Sequence, residues 1–152
     1  INTLNKKVLL LGAGGASRAV IPYLLMNKPE YFLIANRTIE KAEDLSLLYD
    51  NNADICSLNN LHGLEFDIVI NATSMGVKGE PYTDYGFKIN EAAVDMIYKP
   101  QMTSFLSLYS KNNIKLVNGL AMLIYQAAGS FNIWTGCDII PDIEYFNKAV
   151  YK

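Results

Sequence analysis

The stretch Lys7–Ala19, KVLLLGAGGASRA, constrains the fold of this chain more than any other. A short apolar run, Val8–Leu11, stops at a glycine-rich turn and passes into a helix-compatible segment. A strand meeting a helix through Gly12, Gly14 and Gly15 presents bare backbone N–H groups at the positive end of the helix dipole, which suits a diphosphate. Gly12 permits the tight turn, and Gly14 lets a pyrophosphate approach the main chain without meeting a Cβ. The dinucleotide fingerprint G-x-G-x-x-G would place its third glycine at position 17; this chain has Ser17, small enough for close helix–strand packing. The same glycines would equally serve an ordinary βα turn with no ligand, so the motif needs support from residues further along the chain.

The remainder of the chain supplies an α/β frame. Tyr31–Ala35 reads as a second buried strand, rich in aromatic and branched residues. Thr38 is placed to cap a helix over Ile39–Tyr49. Strands follow at Ala53–Leu58, Asp67–Asn71, Ala92–Met96 and Lys115–Val117, with a helix from a Thr103 cap to about Ser110. Asn118 is placed to cap a long helix, Gly119–Trp134, whose Leu120, Ile124, Ala127, Phe131 and Trp134 share one face. Asp142–Val150 closes the chain as an amphipathic helix. Gly15–Met26 is helix-like, yet Pro22 inside it predicts a kink or a late start. Strands alternating with helices at this rhythm imply a Rossmann-like, doubly wound parallel sheet with helices on both faces and ligands at the strand carboxyl ends. The long loop after Asn71 exceeds what a compact domain needs for a connection, which marks it as a functional candidate.

At 152 residues, 51% hydrophobic and 18% charged, the chain fits one folded domain with a real core. A net charge of −2 gives no general attraction to nucleic acid or anionic membrane, so an anion site must be local. Cys56 and Cys137 lie far apart and His62 is the single histidine, an inventory that builds no zinc site. The cysteines read as buried thiols of a cytoplasmic protein. The longest apolar stretch, Leu120–Ile133, is interrupted by polar residues and too short to span a bilayer. A first residue of Ile1 is consistent with a piece of a longer polypeptide.

The end of the second strand is the diagnostic position. A site for NAD would place Asp or Glu there to accept from the adenosine ribose 2′-OH. This chain has Asn36, Arg37 and Thr38, with Lys41 one helical turn further on. Arginine, lysine, a hydroxyl and a helix N-terminus attract a 2′-phosphate where a carboxylate would repel it. The plainer alternative makes Arg37 a solvated charge and Thr38 a cap only.

Five motifs in order cover almost the whole chain: GAGGASRA from Gly12, NRT from Asn36, NATSMG from Asn71, DMIYKPQMT from Asp95 and NGLAMLIYQAAGSFNIWTG from Asn118. Through them the sequence resembles the shikimate/quinate dehydrogenases. The resemblance implies a single carboxy-terminal NADP-binding domain over residues 1–152. Gly12, Ala13, Gly14, Gly15 and Ala16 would form the pyrophosphate loop, and Asn36, Arg37, Thr38 and Lys41 would surround the 2′-phosphate. Thr73, Met96 and Gly119 would line the ribose and nicotinamide, while Tyr98 and Gln126 would reach the substrate across an interdomain cleft. On spacing alone Tyr98 also fits surface packing, Gln126 a solvated helix face, and Asp95 a partner that fixes its loop.

The resemblance further implies an oxidoreductase that reversibly reduces 3-dehydroshikimate to shikimate with NADPH, in aromatic amino-acid biosynthesis. The family's lysine–aspartate pair belongs to an amino-terminal substrate domain that this chain lacks, so no catalytic residue is expected here. Hydride transfer to a ketone needs a proton donor as well as a positioned nicotinamide, and the chain alone is expected to be inactive. Other readings open at this point are a non-catalytic NADP-binding sensor or docking module, and the cofactor domain of another NADPH reductase such as a quinate dehydrogenase.

Overall fold

Six strands, β1 (Lys7–Leu11), β2 (Tyr31–Asn36), β3 (Asp54–Ser57), β4 (Glu65–Asn71), β5 (Lys88–Asp95) and β6 (Lys115–Val117), form one sheet in the order β3-β2-β1-β4-β5-β6. Every neighbouring pair is parallel. This is the computed structural model of the chain, and it describes residues 1–151. The helices are α1 (Gly15–Met26), α2 (Ile39–Leu47), α3 (Ser104–Leu108), α4 (Leu120–Thr135) and α5 (Ile143–Val150). The sheet is the doubly wound, Rossmann-like architecture expected from the alternation of strands and helices.

A parallel sheet is covered on both faces, so its central strand is apolar without alternation. Val8, Leu9, Leu10 and Leu11 of β1 are all fully buried. Val8 and Leu10 point into one layer with Ile21 and Leu24 of α1 and Ala42 and Leu45 of α2. Leu9 and Leu11 point into the other, with Phe105 and Leu106 of α3 and with Tyr82 and Phe87 from the loop after β4. That second layer is covered as much by aromatic rings as by helix. Tyr82 meets Phe105 edge-on at 5.0 Å between centroids, and Phe87 stacks on Tyr109 at 5.9 Å.

Several elements differ from the sequence expectation. β5 begins at Lys88, earlier than Ala92, while α2 ends at Leu47 and α3 at Leu108. The apolar face of α4 is only half used: Leu120 and Ile124 are buried, whereas Ala127, Phe131 and Trp134 are exposed. Periodicity identified the face correctly, but only its first two turns meet the core. α5 is amphipathic as expected, yet none of its residues is fully buried.

Pro22 neither breaks α1 nor delays it; the helix runs from Gly15 to Met26 around it. A proline removes the N–H that would bond to the carbonyl four residues back, here Arg18. The structure fills that gap from another element, because the Tyr49 hydroxyl donates to the Arg18 carbonyl oxygen at 2.9 Å. Tyr49→Phe should therefore destabilise the fold by about 1 kcal/mol. In a Pro22→Ala background, where the backbone can supply the donor again, the loss should shrink by more than half. Urea denaturation of the four proteins in this cycle measures the coupling. An unchanged loss would assign the effect of Tyr49 to packing.

Candidate functional site

A cleft of about 550 Å³ opens at the carboxyl ends of β1, β2 and β4. This is where the strand order reverses and where open α/β sheets bind their ligands. Gly12, Ala13 and Gly14 form its floor, Asn36, Arg37, Thr38 and Lys41 one side, and Thr73 the other. Eight of the predicted positions thus converge on one cavity. Gly15 and Ala16 continue exposed into the first turn of α1, outside the lining of this cavity.

Two independent constraints demand glycine at position 12. Its φ is +102°, and a Cβ there would lie 3.0 Å from the Ala72 carbonyl oxygen. The main chain is held on both sides, with Gly12 N–H donating to Ala35 O and Ala72 N–H donating to Leu11 O, each at 2.8 Å. Ser17 does more than pack closely: fully buried, it donates its hydroxyl to the Gly12 carbonyl at 2.8 Å and so fastens the turn to α1. A Cβ on Gly14 or Gly15 would meet nothing within 4 Å. The space above the first turn of α1 is open, as a bound diphosphate requires.

The strand-two side carries positive charge and uncommitted donors. Among the described residues no carboxylate lies within 4.0 Å of Arg37 or Lys41, whereas Lys6, Lys88 and Lys148 all pair with glutamates. Among the described residues no Asp or Glu lines the cleft. Thr38 occupies the N-cap position of α2 as expected, but its hydroxyl makes no capping bond. Asn36 is occupied locally: its amide donates to the Thr38 carbonyl at 2.7 Å and sets the shape of the Arg37–Thr38 turn.

The opposite wall was only partly visible in the sequence. Ser74, Met75, Thr83 and Tyr85 line the cleft beside Thr73, and Leu58 closes it beyond β3. Ser74 and Met75 continue the NATSMG motif; Thr83 and Tyr85 lie in the long loop whose length marks it as functional. Tyr85 is tied to this wall through its hydroxyl on the Met75 sulfur at 3.7 Å. The Glu80 carboxylate accepts from the Gly76 and Lys78 N–H groups, both at 2.9 Å, which clips the loop shut.

The remaining predicted positions fall outside this cavity's lining. Met96 and Gly119 abut each other so closely that a Cβ on Gly119 would lie 2.0 Å from the Met96 carbonyl oxygen, so no other residue fits. Met96 N–H donates to Asn71 O at 2.9 Å and Gly119 N–H to Ile97 O at 3.1 Å, continuing the floor beyond β4 toward α4. Tyr98 is exposed and its carbonyl accepts from the Tyr151 hydroxyl. Gln126 is exposed on α4.

Beneath the second wall lies a buried carboxylate. Asp95 has no solvent exposure, and three donors face it. Asn71 Nδ2 and Ile97 N–H reach its Oδ1, each at 3.0 Å, and Thr103 Oγ1 reaches its Oδ2 at 2.5 Å. It is the loop-fixing partner expected from the sequence. Burial lifts its carboxyl above the usual range, and the Thr103, Ile97 and Asn71 donors oppose that lift. A carboxyl with a raised folded-state pKa weighs against folding once ionised. That cost is absent at pH below the ordinary value of 3.8 and grows as pH rises through the folded value. Wild type should therefore lose stability relative to Asp95→Asn as pH rises from about 4, read from urea midpoints. A wild type that gains on the variant would mean the three donors outweigh burial.

A family model for shikimate/quinate 5-dehydrogenase matches residues 2–77, and one for the shikimate 5′-dehydrogenase C-terminal domain matches residues 119–151. The NADP⁺-dependent shikimate dehydrogenase of Nitrosospira multiformis is 42% identical over 145 residues, covering 92% of this chain and 52% of that protein. A chorismate mutase/shikimate 5-dehydrogenase fusion from Clostridium acetobutylicum superposes with a TM-score of 0.82 at 33% identity, over 99% of this chain and 56% of that one. Shikimate 5-dehydrogenase from Thermus thermophilus, solved with NADP(H) and shikimate, gives 0.78 at 32% identity over 95% and 54%. The chain spans about half the length of the relatives it matches. No helix among the described residues is long and apolar enough to cross a membrane.

Proposed function

The chain belongs to the shikimate/quinate dehydrogenase family, and from that premise we propose that it is the NADP(H)-binding domain of a shikimate dehydrogenase. One observation carries the cofactor choice: Arg37 and Lys41 lie in the glycine-floored cleft with no carboxylate beside either among the described residues. Two unpaired cations and an uncommitted Thr38 hydroxyl at the start of α2 suit a 2′-phosphate and disfavour a ribose held by an acidic residue. The N–H groups above Gly14 and Gly15 suit the pyrophosphate, with Ala13 and Ala16 completing that loop.

When bound, NADPH supplies the hydride that reduces a ketone such as 3-dehydroshikimate, and the reverse reaction returns it. This chain's residues would hold and orient the cofactor: the glycine loop its pyrophosphate, Asn36, Arg37, Thr38 and Lys41 its 2′-phosphate, while Thr73, Met96 and Gly119 would line the path toward its nicotinamide. Tyr98 and Gln126 would contact the substrate from this side. In this reading the acid–base pair that moves the carbonyl proton lies on an amino-terminal substrate domain of the parent protein, which acts in the cytoplasm on a small molecule and binds neither nucleic acid nor membrane.

Two outcomes test the proposal. The isolated 152-residue chain should bind NADP(H) yet show negligible oxidation of shikimate; ordinary dehydrogenase turnover would place the acid–base chemistry within these residues. Arg37→Ala should weaken NADP⁺ binding on the order of tenfold, one charge-assisted hydrogen bond trimmed by solvent exposure, and barely alter NAD⁺ binding. Calorimetric titration of both proteins with both cofactors decides it. Equal losses would move Arg37 to the adenine or to folding, and a wild-type preference for NAD⁺ would refute the 2′-phosphate site.

A further inference from the structure

The three donors on Asp95 form the near end of a longer chain of hydrogen bonds whose direction is set throughout. Leu106 N–H donates to Thr103 Oγ1 at 3.3 Å, so the Thr103 hydroxyl proton is free to point at Asp95. Asn71 and Asp95 are register partners at the ends of β4 and β5, which places the Asn71 amide directly across from the carboxylate. Because Asp95 only accepts, the NH₂ of Asn71 turns toward it, and the Asn71 carbonyl turns the other way. That carbonyl accepts from the Thr73 hydroxyl at 2.7 Å and from Thr73 N–H at 3.2 Å. Thr73 Oγ1 in turn accepts from Met75 N–H at 3.3 Å. Asn71 and Asp95 are both fully buried, so no water competes for these groups.

We propose that Asp95 is a positioning residue for the cofactor cleft: its carboxylate locks the amide orientation of Asn71, and Asn71 thereby holds the Thr73–Met75 wall in its ligand-lining form. An asparagine amide is symmetric in shape and not in polarity. With no acceptor at position 95 it can reverse, and its NH₂ then faces the Thr73 N–H, donor against donor. The wall loses its anchor while the packing of both strands stays intact. The role extends the proposed cofactor function and depends on it only for the NADP⁺-affinity measurement.

The test uses the full chain and two readouts. In Asp95→Leu, which removes the acceptor at similar volume, hydrogen exchange at the Thr73 and Met75 amides should accelerate at least roughly tenfold, the scale of one lost buried hydrogen bond. Amides inside β4, such as Val69 and Ile70, should keep their wild-type rates, and NADP⁺ affinity should fall by a similar factor. The exchanged pair Asp95→Asn/Asn71→Asp restores an acceptor facing Thr73 and a donor between the strands, at the cost of the Ile97 contact. It should recover most of both losses, which a role confined to packing would not. Unchanged exchange at Thr73 and Met75, a loss spread evenly through β4, or an exchanged pair that recovers nothing overturns the proposal. Should Asp95→Leu not fold, the exchanged pair decides alone: folded with protected amides supports it, unfolded refutes it. The amide pattern in the variant of a chain whose wild type does not bind NADP⁺ refutes only the cofactor reading; tight wild-type NADP⁺ binding without that pattern in the variant refutes only the positioning role.

Discussion

One acidic side chain without access to water organises the carboxyl edge of this sheet. Isolated, a carboxylate as buried as Asp95 would be strongly unfavourable. Here it is met by the end of β4, the start of the β5–α3 connection and the cap of α3. Each donor belongs to a segment that borders or supports the cleft, so satisfying the charge and shaping the site are one structural act. The converse also holds: the strand register that pairs Asn71 with Asp95 cannot slip by one residue without turning one of these polar side chains out of place. Register and site geometry specify each other.

Compensation of a similar kind recurs in α1. A proline in a helix interior leaves one carbonyl without its donor, and the Tyr49 side chain fills that vacancy from the turn just after α2. α1 carries the glycine turn at its start and is fastened there by Ser17. The helix is thus tied at two points along its length, by a hydroxyl from within and a hydroxyl from without.

Much of the fold and its cleft was legible in the amino-acid sequence because the signals were local. The glycine turn, the apolar runs of β1, β2 and β4, and the Asn36–Lys41 segment depend on neighbours a few residues away, and the structure brings them to one cleft. The hub was legible in part. Asp95 stood out as a loop-fixing partner, but its pairing with Asn71 spans two strands and needs their register; the shared habit of ending an apolar run on a polar residue, DIVIN and AAVD, was the available hint. Thr83 and Tyr85 were out of reach because their loop folds back on the cleft through contacts distant in sequence. The α4 stripe misled for a physical reason: spacing shows that a face is apolar, not how far along the helix the core extends.

That unburied end of α4 has an optical consequence. The chain contains a single tryptophan, and Trp134 sits there at 82% exposure, beside Ile133 at 83%. Indole emission from the folded chain therefore originates from one surface, at the end of α4 that the core leaves uncovered. Whatever comes to cover the end of α4 will shift that emission toward the blue, while events confined to the cofactor cleft leave it nearly still. The fold carries its own reporter, and it watches the surface that the core leaves bare.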